Sequence, residues 1–148
     1  MFLKRIFMTI LLSTIGSSHL WAKSASIVGL WETIDDRTGQ KKAIVKIYQK
    51  GTSYFADIVK VYWKENDNKI CVHCKDKKRH NQPVEGMNFV WDLKPHSSLL
   101  WDNGSILDPH NGQVYKVRMK KNGDVLYVRA YLGVPVLGRT QEWHRYSN

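Results

Sequence analysis

The residues best equipped for chemistry fall in two places: Cys71-Val72-His73-Cys74 with His80 nearby, and WDNGSILDPHNG at 101–112, which holds Asp102, Asp108, His110 and Asn111. A C-x-x-C pair serves as a disulfide, as half of a tetrahedral zinc site, or as a redox dithiol at a helix start. Zinc would draw on Cys71, Cys74, His80 and His73, but the chain has no second C-x-x-C and no suitably spaced histidine pair to complete the set. A redox dithiol needs a helix opening at the first cysteine, and the flanking NDNKI and KDKKRH do not supply one. In an oxidising compartment the pair becomes a bridge. A four-residue turn holds its end Cα atoms within about 7 Å, which suits disulfide geometry. A Cys71–Cys74 disulfide that pins a loop is the expectation.

The stretch at 101–112 reads as turn chemistry. Asp102-Asn103-Gly104 offers a pair tolerant of left-handed backbone. In Asp108-Pro109-His110-Asn111-Gly112, aspartate accepts backbone hydrogen bonds, proline presets φ and glycine takes positive φ at the exit. A calcium loop would need alternating acidic oxygens and a distal bidentate glutamate, and the stretch contains no glutamate. Two turns are therefore expected. Asp108 and His110 form an acid–imidazole pair, but the turn already accounts for Asp108. No G-x-S-x-G, H-E-x-x-H, phosphate-binding glycine loop or paired carboxylates occur. The expectation is no enzyme, no cofactor and no metal.

Compartment follows from the N-terminus, MFLKRIFMTILLSTIGSSHLWAKS. Lys4 and Arg5 precede an apolar run from Ile6 to Ile15, and small polar residues follow. That layout predicts a secretory signal peptide over 1–22, with a run too short to span a bilayer. Cleavage after Ala22 leaves residues 23–148, a length suited to one domain, in the periplasm or outside the cell. It removes Lys4 and Arg5 and no acid, so the formal charge falls from +10 to +8. The basic run Lys75 to His80 lacks interleaved stacking aromatics, which argues against nucleic acid and for a solvated loop.

The elements that must position these residues show period-two alternation broken by turn residues, the signature of an all-β sandwich or barrel. Candidate strands are Val28 to Ile34, the Ala43-Val45-Ile47 segment, Tyr54 to Trp63, Met87 to Leu93, Gln113 to Lys120, Val125 to Leu132 and Arg139 to Tyr146. KNGD at 121–124 marks a hairpin. A long polar loop spans 64–82, and helical periodicity is lacking after the signal peptide. The prediction is an antiparallel meander closed into a barrel of about eight strands. First and last strands then adjoin, so Trp31 is expected beside Arg139 or Arg145, with Trp143 in the same closure.

Four blocks in order, G-x-W at 29–31 running on to DDRTGQKKAIVKIYQK, the C-x-x-C loop, GxILDPxNGxxYK at 104–116 and VRAYLGVPVLGRTQEWHR at 128–145, resemble the secreted bacterial proteins grouped as domain of unknown function 2147. The resemblance runs from Gly29 to Arg145 and implies a small lipocalin-like barrel without agreed catalytic residues. The chain departs from that pattern at Ala130, where glycine is common, and at Ser105, where a basic residue is usual.

Within such a barrel, Leu126, Val128, Ala130 and Leu132 form an apolar face, and Arg129 lies on the other. These residues predict a monomeric binding module whose interior holds a small apolar or amphipathic ligand, with Arg129 near an anionic head group. The alternative is an envelope interaction protein that contacts anionic lipid or a protein partner, with its barrel filled.

Overall fold

The computed structural model describes residues 25–147, so the signal peptide expected over 1–22 lies outside the described residues. Among the described residues eight strands run in chain order: β1 Gly29–Ile34, β2 Lys41–Lys50, β3 Ser53–Val61, β4 Asn88–Ser97, β5 Leu100–Asp108, β6 Gln113–Asn122, β7 Val125–Tyr131 and β8 Arg139–Arg145. Each pairs antiparallel with the next, and β8 returns to β1, closing an all-β barrel. A 3-10 turn, Pro135–Leu137, lies in the β7–β8 connection.

Local pattern explains most strands. In β2, Ala43, Val45 and Ile47 are buried while Lys42 and Lys46 face water, and the stiff β-branched residues favour the pleated surface. The β6–β7 hairpin closes over Gly123–Asp124, where Gly123 adopts φ 59°. Register then stacks inward residues around the barrel. Trp31 lies opposite Val45, Val45 opposite Ile58, Val117 opposite Ala130, and Leu126 opposite Trp143. The interior core contains Trp31, Trp143, Ile47, Leu93, Met119, Leu126, Val117 and Val128, all essentially inaccessible.

One expectation is corrected. Asp102-Asn103-Gly104 is not a turn but the middle of β5. Asn103 takes φ 59°, and the pairing with β6 slips between Trp101 and Gly104, so the left-handed residue makes a bulge and the strand continues. The bulge brings Gly104 against β4 and β6, where an added Cβ would stand 2.9 Å from Leu93 and from Val117. The second half of the stretch is a turn. Asp108 accepts from the His110 N–H at 2.9 Å and from the Gly112 N–H at 2.8 Å, with Gly112 at φ 71°.

The 62–87 connection folds against the barrel wall. Backbone bonds from Cys71 to Gln82 and from Val84 to Lys69 fold it on itself, and bonds between Ile58 and both Gly86 and Met87 fix it to β3. Arg79 holds it to β4, donating to the Asn88 carbonyl at 2.8 Å and stacking 4.3 Å from the Trp91 ring centroid. The basic run expected to be solvated therefore contributes one half-buried arginine to packing.

Candidate functional site

The two ends of the barrel are unlike. At one end Ile27 is fully buried beneath Trp31, whose indole N–H donates to the Ile27 carbonyl at 2.8 Å. Arg145 lies over that indole, 3.9 Å from its centroid, and donates to the carbonyls of Val28 at 2.9 Å and Ser26 at 3.1 Å. Gly29 makes room for this arrangement, since a Cβ there would stand 2.7 Å from an Arg145 nitrogen. Burial lowers the Arg145 pKa from its ordinary value, while Asp124 opposes the shift. This end is sealed.

At the opposite end, inward positions of β3, β6 and β7 are Val61, Tyr115 and Ala130, half-buried and resting on the core. Their inward direction follows from register, with Ala43 opposite Val61, Ile106 opposite Tyr115 and Val117 opposite Ala130. Trp63, two residues beyond Val61, packs on the same core and donates its indole N–H to Glu85 at 3.2 Å. Together these give the mouth a half-buried apolar lining, the cup, with Gln141 on the same inner face opposite Val128. The floor is packed: Phe89 lies 5.9 Å from Trp143, and Ile106 and Val128 fill the adjoining positions. A surface depression of about 500 Å³ runs along residues 78–88, and a smaller one lies between Lys75–Asp76 and the Leu107–Val114 turn.

Two polar groups stand out in the interior, on Trp143 beside Phe89 and on Trp101 beside Tyr54 at the other end of the barrel. The indole N–H groups of Trp101 and Trp143 are buried and meet no acceptor from the described residues. A buried donor without a partner costs about 1–3 kcal/mol, a cost these two interior positions carry.

The residues singled out from sequence divide. Leu126 and Val128 are buried in the interior, and Ala130 sits at the cup. Leu132 lies beyond β7 and is 57% exposed, so it does not continue that inner face. The strand ends because β8 begins at Arg139, opposite Ala130, and offers no partner further on. Arg129 faces outward and is occupied by the β7–β8 connection, donating to the Pro135 and Val136 carbonyls and to Thr140 Oγ1. These bonds engage the side chain expected near an anionic head group. Of the two arginines considered for Trp31, Arg145 takes the place; Arg139 instead pairs with Asp36 of the β1–β2 turn. Trp143 lies in the interior opposite Leu126 and Thr33.

Cys71 and Cys74 form a disulfide with Cα atoms 5.4 Å apart, and both are buried. Cys71 Sγ lies 3.4 Å from the Pro109 carbonyl, and His80 Nδ1 lies 2.8 Å from that of Cys74. A side chain at Gly112 would collide with the His73 carbonyl. The bridge therefore presses the long connection onto the 109–112 turn, which links two of the sequence blocks structurally.

Sequence reasoning missed the cup residues Val61, Trp63 and Tyr115, and the pair Asp102–Arg118 at 2.5 Å. Burial by itself would raise the Asp102 pKa, but hydrogen bonds from Arg118 and the Asn103 N–H outweigh it and hold the carboxyl below its ordinary value. Strand membership of Val61 and Tyr115 was visible; that they lie level at one mouth depends on register.

Comparison with solved structures finds a similar fold in protein HP1028 from the human pathogen Helicobacter pylori, described as belonging to the lipocalin family. The TM-score is 0.72 at 19% identity, covering 83% of this chain and 84% of that one. No curated protein matches the sequence. The model of the family described as "Uncharacterized protein conserved in bacteria (DUF2147)" matches residues 29–145. With four ordered sequence blocks now mapped onto a closed lipocalin-like barrel, the chain belongs to the DUF2147 family.

Proposed function

We propose that this chain is a non-enzymatic, exported binding module that takes a small amphipathic ligand at the open end of its barrel. The observation that carries the reading is the inequality of the ends: Ile27, Trp31 and Arg145 seal one, while Val61, Trp63, Tyr115 and Ala130 stay half-buried at the other. The packed floor sets the depth. A long acyl chain threaded through the interior would have to displace Phe89, Val128 and Trp143, so the apolar part of the ligand rests in the cup.

About four buried methylenes supply about 3 kcal/mol before ordering costs, so a polar group must provide the rest of a submillimolar affinity. The test is titration with medium-chain fatty acids and lysophospholipids below their micelle concentrations, following tryptophan fluorescence. A saturable change is expected, weakened when Ala130→Phe fills the cup. Absence of saturable binding at submillimolar ligand by every amphiphile tested rejects the reading.

A further inference from the structure

The β7–β8 connection, Leu132-Gly133-Val134-Pro135-Val136-Leu137, presents an apolar surface that the cup does not use. Leu132 is 57% exposed, Val134 51%, Val136 79% and Leu137 78%. Four adjacent large aliphatics facing water are unusual, because each could be polar without loss to the barrel. The segment is also held in place. Arg129 donates to the carbonyls of Pro135 at 2.5 Å and Val136 at 3.0 Å, and to Thr140 Oγ1 at 2.7 Å. A 3-10 turn closes it through Leu137 N–H to Val134 at 3.2 Å and Gly138 N–H to Pro135 at 3.0 Å. Gly138 packs so closely on β7 that a Cβ there would stand 2.5 Å from the Ala130 carbonyl. The fold thus satisfies the segment's backbone while leaving its side chains outside, which lowers the ordering cost of whatever they meet.

We propose that this connection is a membrane-docking loop that inserts its aliphatic side chains into an anionic lipid surface. Charge selects the occupant. Around the same end of the barrel stand Arg37, Lys42, Lys116 and Arg139, all exposed, with Arg139 reaching Asp36 across the β1–β2 turn. Lys116 lies opposite Tyr131 at the foot of the loop, and Arg139 opposite Ala130. With Asp35 and Asp36 set against these four cations, that end keeps an excess of positive charge beside the apolar tip, which matches the acyl–headgroup boundary of an anionic bilayer. A protein groove fits less well: the tip lacks the tryptophan and tyrosine typical of interface anchors, and has two carbonyls already engaged by Arg129. The inference stands whether or not the cup holds a ligand.

The experiment is vesicle flotation of protein purified untagged from the producing cell, its N-terminus read by intact mass. Vesicles of phosphatidylcholine alone are compared with vesicles that also contain phosphatidylglycerol, at low and high salt. The natural chain should float with the anionic vesicles, less so at high salt and least with the neutral ones. Val136→Ser combined with Leu137→Ser should weaken flotation about tenfold or more while leaving the melting temperature unchanged. Val134→Ser is the independent variant should that pair disturb folding. Failure of the natural chain to float with anionic vesicles overturns the proposal, as does a double variant that floats equally well. A dimer in native mass spectra that the double variant abolishes, without vesicle binding, reassigns the loop to a second copy of this chain and also overturns it.

Discussion

Arg145 lies over the indole of Trp31 with its guanidinium carbon 3.9 Å from the ring centroid, and the two residues are register partners across the β1–β8 seam. The same guanidinium binds the carbonyls of Val28 and Ser26, so one side chain joins the last strand, the first strand and the segment before it. Closure of the barrel and sealing of its end are one interaction set.

Replacing Trp31 with Ala should therefore destabilise the protein by about 3–5 kcal/mol, measured by urea unfolding. Arg145→Ala should lose less, about 1–2 kcal/mol, since the indole keeps its other neighbours. A loss below about 1 kcal/mol for Trp31→Ala would place the indole outside the cooperative core.

Gly104→Ala should destabilise by about 1–3 kcal/mol, because the new methyl overlaps Leu93 and Val117 across the bulge. Gly51→Ala makes the contrast. Nothing lies within 4 Å of its added Cβ, so only its left-handed φ of 62° opposes the change. Equal losses at the two positions would mean that interior crowding is not what selects Gly104.

Asp102 predicts a dependence on acid. Its pKa is depressed in the folded protein, so its contribution is fully present above the unfolded value and is lost as pH falls through the folded one. Asp102→Asn should lower stability at neutral pH and flatten the decline at acid pH. A variant whose stability falls as steeply with acid as the natural chain would show that other carboxylates govern that limb.

Protein recovered from the cell envelope should show no free thiol by labelling in denaturant without reductant. Replacing both Cys71 and Cys74 by Ser should cost no more than about 2 kcal/mol, since the closed loop is short. The effect should concentrate at the 109–112 turn, where amide exchange quickens. Unchanged exchange at Gly112 would separate the bridge from that turn.

Export predicts a mature chain lacking residues 1–22. Intact mass of material from the periplasm or medium reads this directly, and retention of those residues there would contradict it.

Much of this protein is local in origin. Alternation in Ala43, Val45 and Ile47, and again in Leu126, Val128 and Ala130, reports period-two burial within a few residues, so strands and the β-class were legible. Trp31, Trp143 and the arginines Arg139 and Arg145 were legible as closure candidates once first and last strands were expected to adjoin. Asn103-Gly104 was not, because a left-handed residue serves a turn and a bulge equally well. What decides between them is Leu93 on one neighbouring strand and Val117 on the other, distant in sequence. Leu132 carries the same lesson: its alternation continues past Ala130, but β8 supplies no further partner and the chain turns out into water. The composition of the β7–β8 connection was written in the chain. Its exposure, and the capture of Arg129 by its carbonyls, were decided by where the barrel's edges meet, because solvent contact depends on neighbours that local sequence does not contain.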